Sequence, residues 1–171
     1  MKIAITGHTK GIGKCIKDLL EKDGHEVVGA STSTGINVMR PKSVISWIEK
    51  ENPDVFVNNV YAPNSQCNIL YQLYEKWQYE DKLIINMSST SGEAHTHFQQ
   101  MGYNKDWTPY VSDKARLNFA SLYLSERFNE HHRCRVTNVS PGFVRTQATT
   151  MFTPFIDCLL YTSDAADDYR S

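Results

Sequence analysis

Short apolar runs alternate with amphipathic stretches along most of the chain. Lys2–Thr6, Glu26–Ser31, Asp54–Val57, Lys82–Met87 and Cys134–Val139 each predict a strand, and Ile36–Val38 predicts a very short sixth. These runs are nearly unbroken rather than alternating, which fits strands buried on both faces of a parallel sheet. Helical spacing fills the intervals. Ile12–Lys22 places Ile12, Ile16, Leu19 and Leu20 on one face and stops at Asp23-Gly24. Pro41 opens a helix carrying Val44, Ile45, Trp47 and Ile48, broken by Asn52-Pro53. Ile69–Tyr79 puts Leu70, Leu73, Tyr74 and Trp77 on one side. Thr108-Pro109 supplies an N-cap and a first-turn proline to a helix running to about Glu130. Ser31–Gly35 and Ala62–Gln66 read as loops, and the polar stretch Thr90–Trp107 reads as an irregular insertion or lid.

Strands alternating with helices predict an α/β fold, a doubly wound parallel sheet of six strands. Ligands in such folds sit beyond the carboxyl ends of the strands. Thr6-Gly7, Ser31, Asn58-Asn59, Ser88-Ser89 and Ser140-Pro141-Gly142 all fall at those ends. The first of them opens the run Thr6–Gly13, TGHTKGIG, which passes from a strand through a glycine turn to a helix start. Such a turn lets backbone approach a phosphate closely, and the first N–H groups of the helix point at it.

Composition narrows the partners. The chain has 171 residues and a net charge of −1. That length suffices for one domain with a sizeable core. Near-neutrality gives no general attraction to nucleic acid or anionic membrane, so neither is expected as a partner. No apolar run approaches the ~20 residues that span a bilayer. MKIAIT leads straight into a strand without the apolar region of a signal peptide, so a cytoplasmic location is expected. Cys15, Cys67, Cys134 and Cys158 are scattered, with no CxxC pair, and read as reduced thiols. His95 and His97 share a face of an extended segment, but no third ligand can be named, and no metal is expected.

Five motifs occur in one order: TGxxxGxG at Thr6-Gly7, Gly11 and Gly13; Asn58-Asn59-Val60-Tyr61 as a form of NNAG; Ser89 after a strand; YxxxK at Tyr110 and Lys114; and PGxxxT at Pro141-Gly142 and Thr146. Together they resemble the short-chain dehydrogenase/reductase family over Lys2 to about Thr146. The resemblance implies a Rossmann-like fold that interconverts a carbonyl and an alcohol by hydride transfer. It implies catalytic roles for Ser89, Tyr110 and Lys114, and for a helix asparagine, for which Asn68 is the candidate. It also implies cofactor contacts from Gly7, Thr9, Lys10, Gly11, Ile12, Gly13, Ser31, Thr32, Asn37, Val38, Asn58, Asn59, Pro141, Gly142, Val144 and Thr146, with Tyr110 and Lys114 at the nicotinamide ribose. Tyr110 and Lys114 are four apart, so one helical face presents both. A nearby ammonium stabilises a phenolate, and ~2 pKa units of lowering would correspond to ~3 kcal/mol.

NAD-preferring dinucleotide folds usually carry an acid at the end of the second strand for the ribose 2′-hydroxyl. Ala30–Thr34 contains none, while Lys10 precedes the second glycine. NADP(H) is therefore expected over NAD(H). The resemblance also implies a homodimer or homotetramer through the 68–79 and 109–130 helices.

The chain departs from the family in two places. Ser89 and Tyr110 lie 21 positions apart, several more than usual, which could displace the serine and leave a dinucleotide-binding or sensor protein without efficient catalysis. A nucleotide-sugar epimerase is disfavoured by the glycine spacing and by its need for a larger C-terminal domain. After Thr146 only 25 residues remain, where the family continues through a substrate-covering segment, a helix and a last strand. Cys158–Asp168, CLLYTSDAADD, resembles the translation of a transposase-type sequencing adapter. The expectation is a truncated domain over 1–157 followed by an artefactual tail over 158–171.

Overall fold

The apolar runs pair into one parallel sheet. The computed structural model describes residues 1–93, 107–142, 144–145 and 156–157. The tail over 158–171, His95, His97 and most of the expected lid lie outside these described residues. Strands β1 (Lys2–Thr6), β2 (Glu26–Ala30), β3 (Val55–Asn58), β4 (Leu83–Met87) and β5 (Arg135–Val139) stand in the order β2-β1-β3-β4-β5. Chain order reverses between β1 and β3, which opens a crevice at their carboxyl ends.

Helices cover both faces, unevenly. On one face, α2 (Pro41–Glu51), α3 (Ser65–Trp77) and α4 (Thr108–Ser125) bury Val44, Ile48, Leu70, Leu73 and Leu117 against Phe56, Ile84 and Val136. On the other, α1 (Gly11–Lys22) lays Ile12, Ile16 and Leu20 against Ile3, Ile5, Val55 and Val57. Beside α1 an apolar groove of about 420 Å³ runs past Leu83, Ile85, Val139 and Val144. No helix among the described residues is long and apolar enough to cross a membrane.

The α/β fold class is the expected one, and the differences are local. Ile36–Val38 does not join the sheet. It leads into a turn in which the Met39 N–H donates to Asn37 Oδ1 at 2.9 Å and the Arg40 N–H to the Asn37 carbonyl at 2.9 Å. The main sheet therefore has five strands. Helix α3 begins at Ser65 rather than Ile69, because Asn64 adopts φ 60° and Ser65 Oγ donates back to the Ala62 carbonyl at 2.8 Å. Helix α4 ends at Ser125 rather than near Glu130. Asn129 Oδ1 takes the N–H groups of His131 and His132, folding the chain back towards β5. A separate two-residue pair joins β6 (Val144–Arg145) to β7 (Ile156–Asp157).

Leu73 is fully buried between α3 and the sheet. Leu73→Ala should cost about 2–5 kcal/mol of unfolding free energy, read as a lower urea midpoint. An unchanged midpoint would contradict the docking of α3.

Candidate active site

The crevice between β1 and β3 opens into a cleft of about 510 Å³. Its floor is the glycine turn and the first residues of α1. Side chains are excluded there: a Cβ on Gly13 would fall 2.2 Å from the Gly7 carbonyl oxygen. Thr6 and Asn59 hold the two strand ends together. Thr6 Oγ1 accepts the N–H groups of Asn59 and Val60 at 3.0 and 3.1 Å, and Asn59 Nδ2 donates to the Thr6 carbonyl at 2.9 Å. Gly7, Thr9, Lys10, Gly11, Ile12, Gly13, Ser31, Thr32, Val38 and Asn59 line the cleft. Ala30, Ile36, Val60 and Tyr61 line it too and were not anticipated. No carboxylate is among these lining residues. A helix N-terminus, a turn with no room for a Cβ at Gly7 and Gly13, and a cleft of this volume fit a phosphate-bearing dinucleotide.

At the neighbouring strand ends, Ser89, Tyr110 and Lys114 come together. Ser89 follows β4 and caps a short 3₁₀ turn over Thr90–Gly92, its Oγ accepting the Ser91 N–H at 3.1 Å. That turn lies directly on α4. A Cβ on Gly92 would fall 2.6 Å from the Lys114 carbonyl carbon, so only glycine allows the approach. The contact seats Ser89 against the first turns of α4, where its side chain stands near enough to Tyr110 to favour the phenolate. The long Ser89–Tyr110 spacing therefore does not part the two residues: the added chain leaves after Glu93, beyond the point of attachment.

Lys114 is 3% exposed. Its Nζ donates to Gln66 Oε1 at 2.8 Å and to the Met87 carbonyl at 2.7 Å. It also lies over the rings of Tyr110 and Tyr61, 5.5 and 5.6 Å from their centroids. Burial pulls its pKa down to about 8, against the opposing pull of Cys67 and Asp113. Tyr110 moves upward, because burial outweighs the opposing pull of Ser89. The expected depression of the tyrosine by the lysine is not realised. The ammonium faces the ring, and two of its hydrogens are directed at Gln66 and Met87.

Some expected site residues stand elsewhere. Asn68 is exposed on the outer side of α3 and does not meet Lys114. Gln66, two positions earlier and read from sequence as loop, takes that position. Its Nε2 donates to the carbonyls of Asn58 and Met87 at 2.8 and 3.0 Å. Asn58 turns into the interior, donating to the Gln66 carbonyl and to Asn86 Oδ1, each at 2.9 Å. The exposed Asn37 spends its Oδ1 on the local turn. Pro141 and Val144 line the apolar groove beside α1 rather than the cleft. Gly142 lies at the carboxyl edge after β5, and Thr146 is outside the described residues. Tyr61 was visible only as the residue standing where NNAG has glycine.

No family model and no curated protein matches this sequence. Solved structures do match it in fold. A short-chain dehydrogenase from Burkholderia cenocepacia, in complex with NADP, superposes with a TM-score of 0.70 at 18% identity, covering 92% of this chain and 78% of that one. The 3-alpha-hydroxysteroid dehydrogenase from a Pseudomonas species, complexed with NADH, gives 0.66 at 18% identity over 90% and 78%. Serine dehydrogenase from Escherichia coli gives 0.63 at 18% identity over 85% and 83%. The chain thus has the short-chain dehydrogenase fold.

The buried lysine has a consequence for stability. Its pKa in the folded chain, about 8, lies below the ordinary 10.5, so the folded state releases this proton first. Between these two values the unfolded state holds more protons, and the lysine's contribution to stability rises with pH. Cys67 and Cys134, both pushed up by burial, act in the opposite direction at alkaline pH. Lys114→Met isolates the lysine. From pH 8 to 10.5 the unfolding free energy of wild type should gain on that of the variant by on the order of 3 kcal/mol. Parallel pH curves would show that the ammonium is not desolvated.

Proposed function

We propose that the chain is an oxidoreductase of the short-chain dehydrogenase/reductase family. It interconverts a carbonyl and an alcohol, with NADP(H) preferred over NAD(H). The supporting observation is the placement of Tyr110 beside Ser89, with the Lys114 ammonium against the tyrosine ring, at the sheet edge that also carries the glycine cleft. The bound dinucleotide supplies or takes up the hydride. Ser89 orients the substrate oxygen by a hydrogen bond. Tyr110 gives its hydroxyl proton to that oxygen in reduction and recovers it in oxidation. Its raised pKa keeps the proton on the phenol at neutral pH, which suits the donor role. Lys114, held by Gln66, stands against the tyrosine ring.

The cofactor preference rests on Lys10, Ser31 and Thr32 in a cleft without a lining carboxylate. One fold neighbour is described in complex with NADP and another with NADH, so the neighbours do not decide it. NADPH should bind about tenfold more tightly than NADH in a fluorescence titration, a gap worth ~1.4 kcal/mol. NADPH oxidation against a panel of carbonyl compounds tests the activity. Tyr110→Phe should lower kcat by about 10²-fold or more while leaving NADPH affinity within a few-fold. Full turnover by that variant would refute the assignment, and NADPH binding without turnover by wild type would favour a sensor.

The second proposal is a homodimer through α3 and α4. Phe119, Leu122 and Tyr123 on α4 and Tyr71 on α3 are exposed, Phe119 by 71%, and they give these two helices an apolar outer surface. Sedimentation at micromolar concentration should give a dimer for wild type and a monomer for Phe119→Glu. A monomeric wild type would discard the interface.

A further inference from the structure

Helix α3 has no cap of its own. Its N-cap residue, Asn64, stands at φ 60° and makes no side-chain cap bond, and the first turn of the helix holds no acid. The acceptor comes from another helix. Asp113 on α4 takes the Asn64 N–H on Oδ2 at 2.8 Å, while its Oδ1 faces Arg116 Nη2 at 3.6 Å. A carboxylate at a helix start satisfies an orphan N–H and complements the dipole. The Arg116 contact is long and partly exposed, so it adds little.

The next residue of α4 is Lys114, whose Nζ donates to Gln66 Oε1 at 2.8 Å. Adjacent residues of α4 thus grip positions 64 and 66 at the start of α3. The two grips share one register. A helix phase one residue later would rotate Gln66 by roughly 100°, off Lys114 and off the carbonyls of Asn58 and Met87 that hold its amide. Gln66 and Met87 take two of the three ammonium hydrogens, and the third is uncommitted among the described residues.

We propose that Asp113 is a positioning residue: by capping α3 from α4, it holds Gln66 in the register that lets it accept from Lys114. The proposal rests on Lys114 being part of the catalytic group argued above. Asp113 acts through Gln66 and not on the substrate.

Exchange of side-chain amide hydrogens in the full chain, read by 15N NMR, tests the seating. The rate at Gln66 Nε2 is divided by that at Asn138 Nδ2, a part-buried amide on β5 bonded to Asn118 and Ser140. The division cancels a general loosening of the fold. Wild type and Asp113→Asn should give the same ratio, because the carboxamide oxygen of Asn accepts the same N–H. Asp113→Ala should raise the ratio about tenfold or more. An acid that only steadied the helix would leave the Gln66 side chain protected in Asp113→Ala, and that unchanged ratio would overturn the proposal. An Asn variant as fast as Ala would do so too. In NADPH turnover, Asp113→Ala should lower kcat about tenfold, with the NADPH KM within a few-fold, and Asp113→Asn should restore it. Faster Gln66 exchange at unchanged kcat would remove the positioning role. Absence of turnover in wild type removes the proposed function and leaves the exchange result standing, whereas an unchanged exchange ratio removes the seating and leaves the function standing.

Discussion

A buried ammonium must be given partners, and much of this molecule is arranged around those of Lys114. Leaving such a charge desolvated and unpaired costs several kcal/mol. Here Gln66 Oε1 and the Met87 carbonyl accept from it, and the Gln66 amide is held in turn by the carbonyls of Asn58 and Met87. The polar chain continues inward. Asn58 donates to Asn86, Asn86 to Ser121 Oγ, and Ser121 to the Leu117 carbonyl. Asn58 and Asn86 are directly paired across β3 and β4. The start of α3, the ends of β3 and β4 and the stretch of α4 from Lys114 to Ser121 are thereby tied together. One buried acceptor in this network, Asn58 Oδ1, has no hydrogen-bond partner among the described residues.

The same network accounts for the tyrosine's behaviour. Lowering a phenol's pKa needs a cation near its oxygen. The Lys114 ammonium instead lies over the ring, where Gln66 and the Met87 carbonyl accept from it. Tyr110 keeps its proton, and its hydroxyl neighbour is Ser89. The division of labour is spatial: the serine meets the oxygen, the lysine meets the ring.

The sheet, its helices and the glycine cleft were legible in the chain, because apolar period and turn chemistry are local signals. Gly7–Gly13 and the YxxxK pair are likewise spaced within one turn or one helix. Relations across elements were harder to read. Gln66 and Asn68 differ by two positions on a helix, which turns them to nearly opposite sides, and the choice between them depends on where α3 begins. That start is set by Asn64 in a left-handed conformation and by Asp113 from a distant helix. Ile36–Val38 carried strand-like residues, yet the Asn37 side chain offered the backbone a turn instead. Tyr61 gave no signal beyond replacing a glycine, since its ring contacts, Tyr110 and Lys114, come from α4, far along the chain.

The glycine contact at Gly92 bears on how such a chain can change over time. Because the 3₁₀ turn is pinned to α4 before the chain departs at Glu93, the distance between Ser89 and Tyr110 is set by packing and not by the number of residues between them. Replacing that one glycine would push the turn off α4 and carry Ser89 away with it.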